Sequence, residues 1–427
     1  MLKRLDLRGR ADFLDVLPRP PTAVDPPVEA VKAIIAEVRA RGDDALRDLT
    51  RRFDRVDVDE LRVPQAELDE ALAAVPALLR EALEAARSNI LSYHRTQRRE
   101  DARYERDGVV VRELVRPVAR AGLYVPGGRA SYPSTVLMTA VPARVAGVGE
   151  LALVVPPGPD GRVATSVLAA AALAGVDEVY RVGGAQAIAA LAYGTGSIRP
   201  VDVIVGPGNI YVSLAQREVA GVVGVPSSFA GPSEVVVVAD DTTPVEYAAV
   251  DVIVQAEHGP DGLAWLVTWS EAAADAISEA VARMVAETPR GAEVAATLEG
   301  GGYAALVDGP EQAMAVANAI APEHLELMTA DPESLLPMVR NAGAVFTGAY
   351  APASVGDYMA GPNHVLPTYG SARFASALSV DDFVRRIHVV SLDGPTLGRL
   401  APHVAALADA EGLAAHAASV RLRRSPS

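Results

Sequence analysis

From residue 150 onward, apolar runs of strand length alternate with longer runs whose apolar residues recur every three to four positions. "ELALVVPP", "EVYRVGG" and "VDVIVGPG" have the first pattern; "ATSVLAAAALAG", "AQAIAALAYG" and "NIYVSLAQREVAG" have the second. A strand that is apolar throughout must be covered on both faces. Helices lying between such strands in sequence cover them, so the rhythm predicts parallel sheets in an α/β fold. "SEVVVVAD" opens a second series, with a helix over 244–258, strand "LAWLVTW", a helix over 271–287, strand "YAALVDG", a helix over 311–320 and closing strand "GAVFTG".

A chain of 427 residues exceeds one core, so two series read as two domains. No clean G-x-G-x-x-G occurs, and the expectation is two Rossmann-like parallel-sheet domains lacking the usual dinucleotide fingerprint. The first 22 residues read as a short arm closed by "PRPPTAVDPP". Residues 27–100 read as amphipathic helices, and "GVVVRELVR" as a strand. The last 50 residues lose the alternation and read as a helical tail of two helices. The expected boundaries are an arm over 1–22, a larger discontinuous α/β domain from 23–123 and 233–375, a second α/β domain over 124–232, and a tail over 376–427.

Absences narrow the chemistry. A formal net charge of −15 argues against a nucleic-acid partner. No apolar run approaches the roughly 18 residues of a membrane span, and the N-terminus lacks an apolar signal-peptide core, so a cytoplasmic protein is expected. The chain has 0 cysteines, which excludes thiolate metal sites and thiohemiacetal chemistry. Its lysines, Lys3 and Lys32, lie near the N-terminus, away from any motif that suggests a Schiff base. No P-loop and no H-E-x-x-H are present. A metal site would have to use nitrogen and oxygen ligands.

Glycine-rich loops mark the strand ends at "YVPGGRASYPST", "VGGAQA" and "VGPGNIY". One such loop is ordinary turn chemistry; three in one α/β half suggest a nucleotide crevice. Of the 7 histidines, His94 reads as solvated beside arginines, His388 as structural and His403 as surface. His258, His324, His364 and His416 keep different company: glycine- or proline-marked loops with Gln255, Glu257, Glu323, Asp357 or Glu411 nearby. Gln255 and His258 fall one turn apart on one helix face, which leaves them open between a quiet helix end and half of a metal site.

At these residues the sequence resembles the histidinol dehydrogenase family. The resemblance rests on "GLYVPGGRASYPSTVLMTAVPA", "VGGAQAIAALAYGTGS", "GPGNIYV", "AGPSEVVVVAD", "QAEH", "APEHLEL", "SVGDYMAGPNHVLPT", "ARFASALSVDDF" and "AEGLAAH", in that order along nearly the whole chain. It implies a homodimeric enzyme, with one zinc per subunit, that oxidises L-histidinol through L-histidinal to L-histidine while reducing two NAD. By motif match Gln255, His258, Asp357 and His416 would ligate zinc, and Glu323 and His324 would be the bases. Ser233, His324, Asp357, His364 and Glu411 would surround the substrate together with the zinc ligands, and Tyr124, Gln186 and Asn209 would contact NAD. Glu411 and His416, in the tail, would act across the dimer.

The sequence departs from the family at Ser227, Val254 and Pro362, none of them a matched ligand or base. A dehydrogenase of another small polar alcohol, such as a sulfonated diol, and a catalytically silent metal- or nucleotide-binding protein are the competing readings. Without cysteine, aldehyde oxidation requires water addition. Glu323 would then activate the water and His324 would take the alcohol proton. Sequence neighbours on a helix do not face each other, so "PEH" is expected at a turn or helix end. Asp251, one turn before Gln255, is a candidate to orient it or its neighbours.

Overall fold

The computed structural model describes residues 2–18, 26–128, 130–226, 233–257 and 262–423. The chain is an α/β protein built on two parallel sheets. It starts with β1 (Lys3–Asp6) and four helices, α1 (Val28–Arg41), α2 (Asp43–Phe53), α3 (Gln65–Ala74) and α4 (Ala77–Arg95). Strands β2 (Ala102–Arg106) and β3 (Val109–Pro117) lead into a βα series. The series runs β4 (Arg120–Tyr124), α5 (Pro133–Ala146), β5 (Glu150–Val155), α6 (Thr165–Ala174), β6 (Glu178–Arg181), α7 (Gly184–Tyr193), β7 (Val203–Val205) and α8 (Ile210–Val219). These strands form a four-stranded parallel sheet in the order β6-β5-β4-β7.

The second series runs β8 (Glu234–Ala239), α9 (Val245–Val254), β9 (Leu263–Thr268), α10 (Glu271–Glu287), α11 (Gly291–Gly301), β10 (Gly302–Leu306) and α12 (Pro310–Ile320), then β11 (His324–Met328), β12 (Ala344–Thr347) and α13 (Ala353–Tyr358). It forms a six-stranded parallel sheet, β1-β10-β9-β8-β11-β12. The arm is thus partly sheet: β1 pairs Lys3 with Tyr303 and Asp6 with Leu306, and Leu7 is buried. An edge strand this short carries no periodicity to read, which is why the sequence shows only an arm.

Both faces of each sheet are covered. Alternate residues of β5 divide between two cores: Leu151, Leu153 and Val155 pack with Leu83 and Ile90 of α4, and Ala152 and Val154 pack with Val31, Ile35 and Leu46 of α1 and α2. The helices over 28–95 therefore sit on the four-stranded sheet, and the expected grouping of 23–123 with 233–375 differs from this packing. The expected boundary at 123/124 also falls inside β4, a central strand. An amphipathic helix shows which face it buries, but not which sheet it buries it against.

The tail contains a strand that the helical reading omits. β13 (Val384–Ser391) pairs antiparallel with β3, which also pairs with β2. His388 lies there opposite Glu113, 3.5 Å from it and largely exposed, so it is a surface residue and not a structural one. Helices α14 (Gly394–Ala410) and α15 (Ala414–Arg421) follow and share a small core of Ala405, Ala408 and Ala417.

Candidate active site

The strands of the six-stranded sheet run one way, so their amino ends line one edge. Ser233 precedes β8 at that edge, and Glu323 precedes neighbouring β11, whose first residue is His324. The "PEH" segment is therefore the entry to a strand, not a turn or helix end. Glu323 lies just before the ladder begins, so strict alternation does not turn it away from His324. Its Oε2 is 3.7 Å from His324 Nδ1 and accepts the Glu234 N–H at 3.2 Å. The Ser233 hydroxyl hydrogen-bonds the same carboxylate.

Helix α13 follows β12 and returns toward this edge, bringing Asp357 with it. His324 Nε2 is 3.4 Å from Asp357 Oδ1, and the Phe346 ring stacks beside the imidazole at 6.0 Å. His364 Nδ1–H donates to the Asp357 carbonyl at 2.9 Å, while its Nε2 is 3.3 Å from Thr135 Oγ1 at the start of α5. His364 thus links this edge to the other half of the molecule. Ser233, Glu323, His324, Asp357 and His364 form one cluster.

The cluster is electrostatically tense. Burial drives the Glu323 carboxyl up to about 7, against the pull of His324. Burial pulls His324 down, but the carboxylates of Glu323 and Asp357 outweigh it and the imidazole is pushed up to about 9. Glu234 is pushed up to about 8 by its own burial and by Glu323.

Gln255 sits where α9 ends, 1% exposed, with neither amide Oε1 nor Nε2 partnered among the described residues. A buried amide left without partners points to a missing one. Asp251 does not supply it: its carboxyl bonds Glu326. His258 lies outside the described residues. Glu411 and His416 lie exposed on the α14–α15 hairpin. Among the described residues no three His, Cys, Asp or Glu gather as a metal cage. The donors present, an orphaned amide oxygen and the Asp357 carboxylate, fit the nitrogen and oxygen chemistry of a zinc site whose other ligands come from beyond these residues.

A cavity of 1260 Å³ lies at the carboxyl ends of the four-stranded sheet and is lined by Tyr124, Gly127, Gly184, Gln186 and Asn209. All three expected NAD contacts therefore face one space. Tyr124 is buried, its hydroxyl accepts the Gly184 N–H at 3.2 Å, and burial holds its ionisation up to about 12. Gln186 Oε1 is buried without a partner among the described residues. Asn209 caps α8, accepting from Tyr211 and Val212 N–H at 3.1 and 3.2 Å. Gly206, at φ +116°, passes so close to the Tyr124 carbonyl that a Cβ would meet it at 2.1 Å, so only glycine fits this turn. The cavity suits an extended nucleotide. The cavity thus lies at the carboxyl ends of its sheet, whereas the Glu323–His324 cluster lies at the amino ends of the other sheet.

Several site residues have no sequence signal of their own. Asp54, at the end of α2, lines the cavity with Oδ2 buried and unpartnered among the described residues, and burial raises its carboxyl to about 6. His94 is 0% exposed, contrary to the solvated reading; its Nδ1 bonds the Ile90 carbonyl, and Asn363 lies 3.5 Å from its Nε2. His94 continues the stripe of Leu83, Ala86 and Ile90 along α4, and its arginine neighbours in sequence point elsewhere.

Comparison with known proteins gives one answer. A family profile described as histidinol dehydrogenase matches residues 17–424. The chain is 49% identical to a histidinol dehydrogenase of Parasynechococcus marenigrum, covering 92% of this chain and 90% of that one. It is 47% identical to one from Gluconobacter oxydans over 99% of each. The crystal structure of histidinol dehydrogenase from Elizabethkingia anophelis superposes with a TM-score of 0.94 at 33% identity, covering 99% of this chain and 98% of that one.

Proposed function

The chain belongs to the histidinol dehydrogenase family of NAD-dependent oxidoreductases, and from that premise we propose that it carries out both oxidations, histidinol to histidinal and histidinal to histidine, with zinc and NAD. The observation that carries this reading is the buried Glu323–His324–Asp357 cluster; an orphaned Gln255 amide and a nucleotide-sized cavity in the same chain support it.

Gln255, His258, Asp357 and His416 would hold the metal. Zinc, when bound, supplies a Lewis-acidic centre suited to the amine and imidazole nitrogens of histidinol. Tyr124, Gln186 and Asn209 would hold the dinucleotide. NAD, when bound, supplies the hydride acceptor.

The chain's own residues handle protons. His324 Nε2, which faces the Asp357 carboxylate and no backbone group among the described residues, takes the hydroxyl proton of the alcohol. Near neutral pH Glu323 and Asp357 favour the protonated ring, so the base form grows as pH rises. Glu323 then accepts a proton from the water that adds to the aldehyde carbon. Its carboxyl, held up to about 7 and oriented by Ser233 and the Glu234 N–H, is near the value a general base needs. His324 removes a hydroxyl proton from the resulting gem-diol. His364 and Ser233 line the same edge and would orient substrate.

The tail supports a homodimer with exchanged ends. Glu411 and His416 are exposed in the single chain, as are Leu407, Leu413 and Leu422 around them. A partner's site would use the two polar residues and bury the leucines. Among the described residues no helix is long and apolar enough to cross a membrane, and we place the enzyme in the cytoplasm, in keeping with its cysteine-free, acidic composition. Removal of zinc by a chelator should abolish NADH formation with histidinol, and added zinc should restore it. Full activity in the metal-free protein would refute the zinc assignment.

A further inference from the structure

Glu326 is 2% exposed in the middle of β11 and takes no part in the proton chemistry above. Strand alternation puts it on the same face as His324, two residues away. Its cross-strand neighbour on β8 is Val237, whose side chain packs under α9. A carboxyl here is costly unless it is bonded on more than one side.

It is bonded to two different helices. Oε1 accepts the N–H of Ala353 at 2.9 Å. Ala353 is the first residue of α13, and Asp357 is the fifth residue of that helix. The Glu326 carboxyl also hydrogen-bonds the carboxyl of Asp251. Asp251 lies on α9, one turn before Gln255. Apart from that carboxyl–carboxyl bond, Glu326 Oε2 is buried with no hydrogen-bond partner among the described residues. Two carboxyls bond only when one keeps a proton, so the pair is an acid–carboxylate clasp. Burial, followed by the Asp251 charge, lifts Glu326 to about 9, which keeps that proton in place across the neutral range.

We propose that Glu326 is a positioning residue that ties α9 to α13, through Asp251 on one side and the Ala353 N–H on the other, and so sets Gln255 and Asp357 relative to each other and to His324. The inference rests on the zinc reading of Gln255 and Asp357 given above. Its bonds go to Ala353 and Asp251, neither of which is read as a ligand. Glu326 fixes the helices that carry two ligands, as the outer partners of metal ligands do elsewhere. Asp251 acts by the same clasp and not by orienting the Gln255 amide directly.

The test measures zinc affinity of the full-length protein by competition with a chromogenic chelator, alongside thermal unfolding of the metal-free protein. Glu326→Gln keeps both bonds, because its carbonyl accepts from Ala353 and its amide donates to Asp251; its zinc affinity should stay close to native. Glu326→Leu keeps the volume and breaks both bonds; its zinc affinity should fall by about 10- to 100-fold. Asp251→Ala should fall similarly, and the double variant Asp251→Ala/Glu326→Leu should be no worse than the more severe single one. If Glu326→Leu does not fold, Asp251→Ala against Asp251→Asn gives the same contrast, since Asn still donates to Glu326. Native-like zinc affinity in Glu326→Leu or Asp251→Ala, or equal losses in the Gln and Leu variants, would overturn the clasp. A native protein that binds no zinc would overturn the zinc reading itself, a separate outcome.

Discussion

His324 Nε2 and Asp357 Oδ1 lie 3.4 Å apart, although one opens strand β11 and the other sits near the end of α13. The contact makes the imidazole a junction between the Glu323 side of the site and the side proposed to hold the metal. It also keeps the ring from drifting, since Nδ1 is held at the Glu234 carbonyl, 3.3 Å away. A ring held at both nitrogens is oriented before substrate arrives, and it becomes a base once its Nε2 proton has left.

Glu323→Gln tests the division of labour between the two bases. With histidinol and limiting time, the first hydride step should persist; with histidinal as substrate, turnover should fall by about 100-fold or more, the loss expected for a general base. Rapid-quench analysis separates the two half-reactions. Equal losses in both would mean that Glu323 does not act on water alone.

The same variant should move a pH profile. In the native cluster Glu323 helps push His324 up to about 9, against the effect of burial. Removing that negative charge lowers the His324 value. The pH at which kcat/KM for histidinol rises should therefore shift to lower pH in Glu323→Gln. A shift to higher pH, or none, would contradict the arrangement described.

Glu234 links the site to stability. Its folded value is about 8 against an ordinary 4.5, raised by burial and by Glu323. A value raised on folding gives a contribution that is fully present below 4.5 and is lost as pH climbs to about 8. Glu234→Gln does not titrate and can still accept the Tyr369 N–H. Its stability relative to native should therefore rise between pH 5 and 8, at no more than about 1.4 kcal/mol per pH unit. Denaturant unfolding at several pH values measures this. A difference that is flat with pH would show that Glu234 is ionised throughout.

How much of this could be read from the sequence depends on the range of the pattern. The βα rhythm is local, and it gives the sheets. Glu323, His324, Asp357 and His364 are marked by their motifs, and the structure gathers them with Ser233 into one cluster. Features that depend on what a segment packs against are not visible. β1 joins a sheet some 300 residues away, and α1–α4 cover the four-stranded sheet, yet nothing local states either choice. His94 misleads because its neighbours in sequence are arginines, whereas its neighbours in space are residues three and four positions away. Glu326 escapes notice because "EHLEL" draws attention to its first two residues.

Asn209→Ala should separate fold from cofactor effects. Losing the cap of α8 costs about 1 kcal/mol of stability, a modest loss. KM for NAD should rise well beyond what that loss explains, while KM for histidinol changes little. An unchanged KM for NAD would remove Asn209 from the cofactor site.

Subunit mixing tests the proposal that the tail is exchanged in a homodimer. His416→Ala and His258→Ala homodimers should each be inactive, and exchanging their subunits should restore activity at one site per hybrid dimer. No recovery after demonstrated exchange would place His416 in its own subunit's site or in none.

The most direct measurement is the ratio of NADH formed to histidinol consumed by the zinc-loaded enzyme, with histidine quantified in the same reaction. Two NADH and one histidine per histidinol are expected. One NADH per histidinol with histidinal accumulating, or no reaction with histidinol at all, would contradict the two-step oxidation proposed for this site.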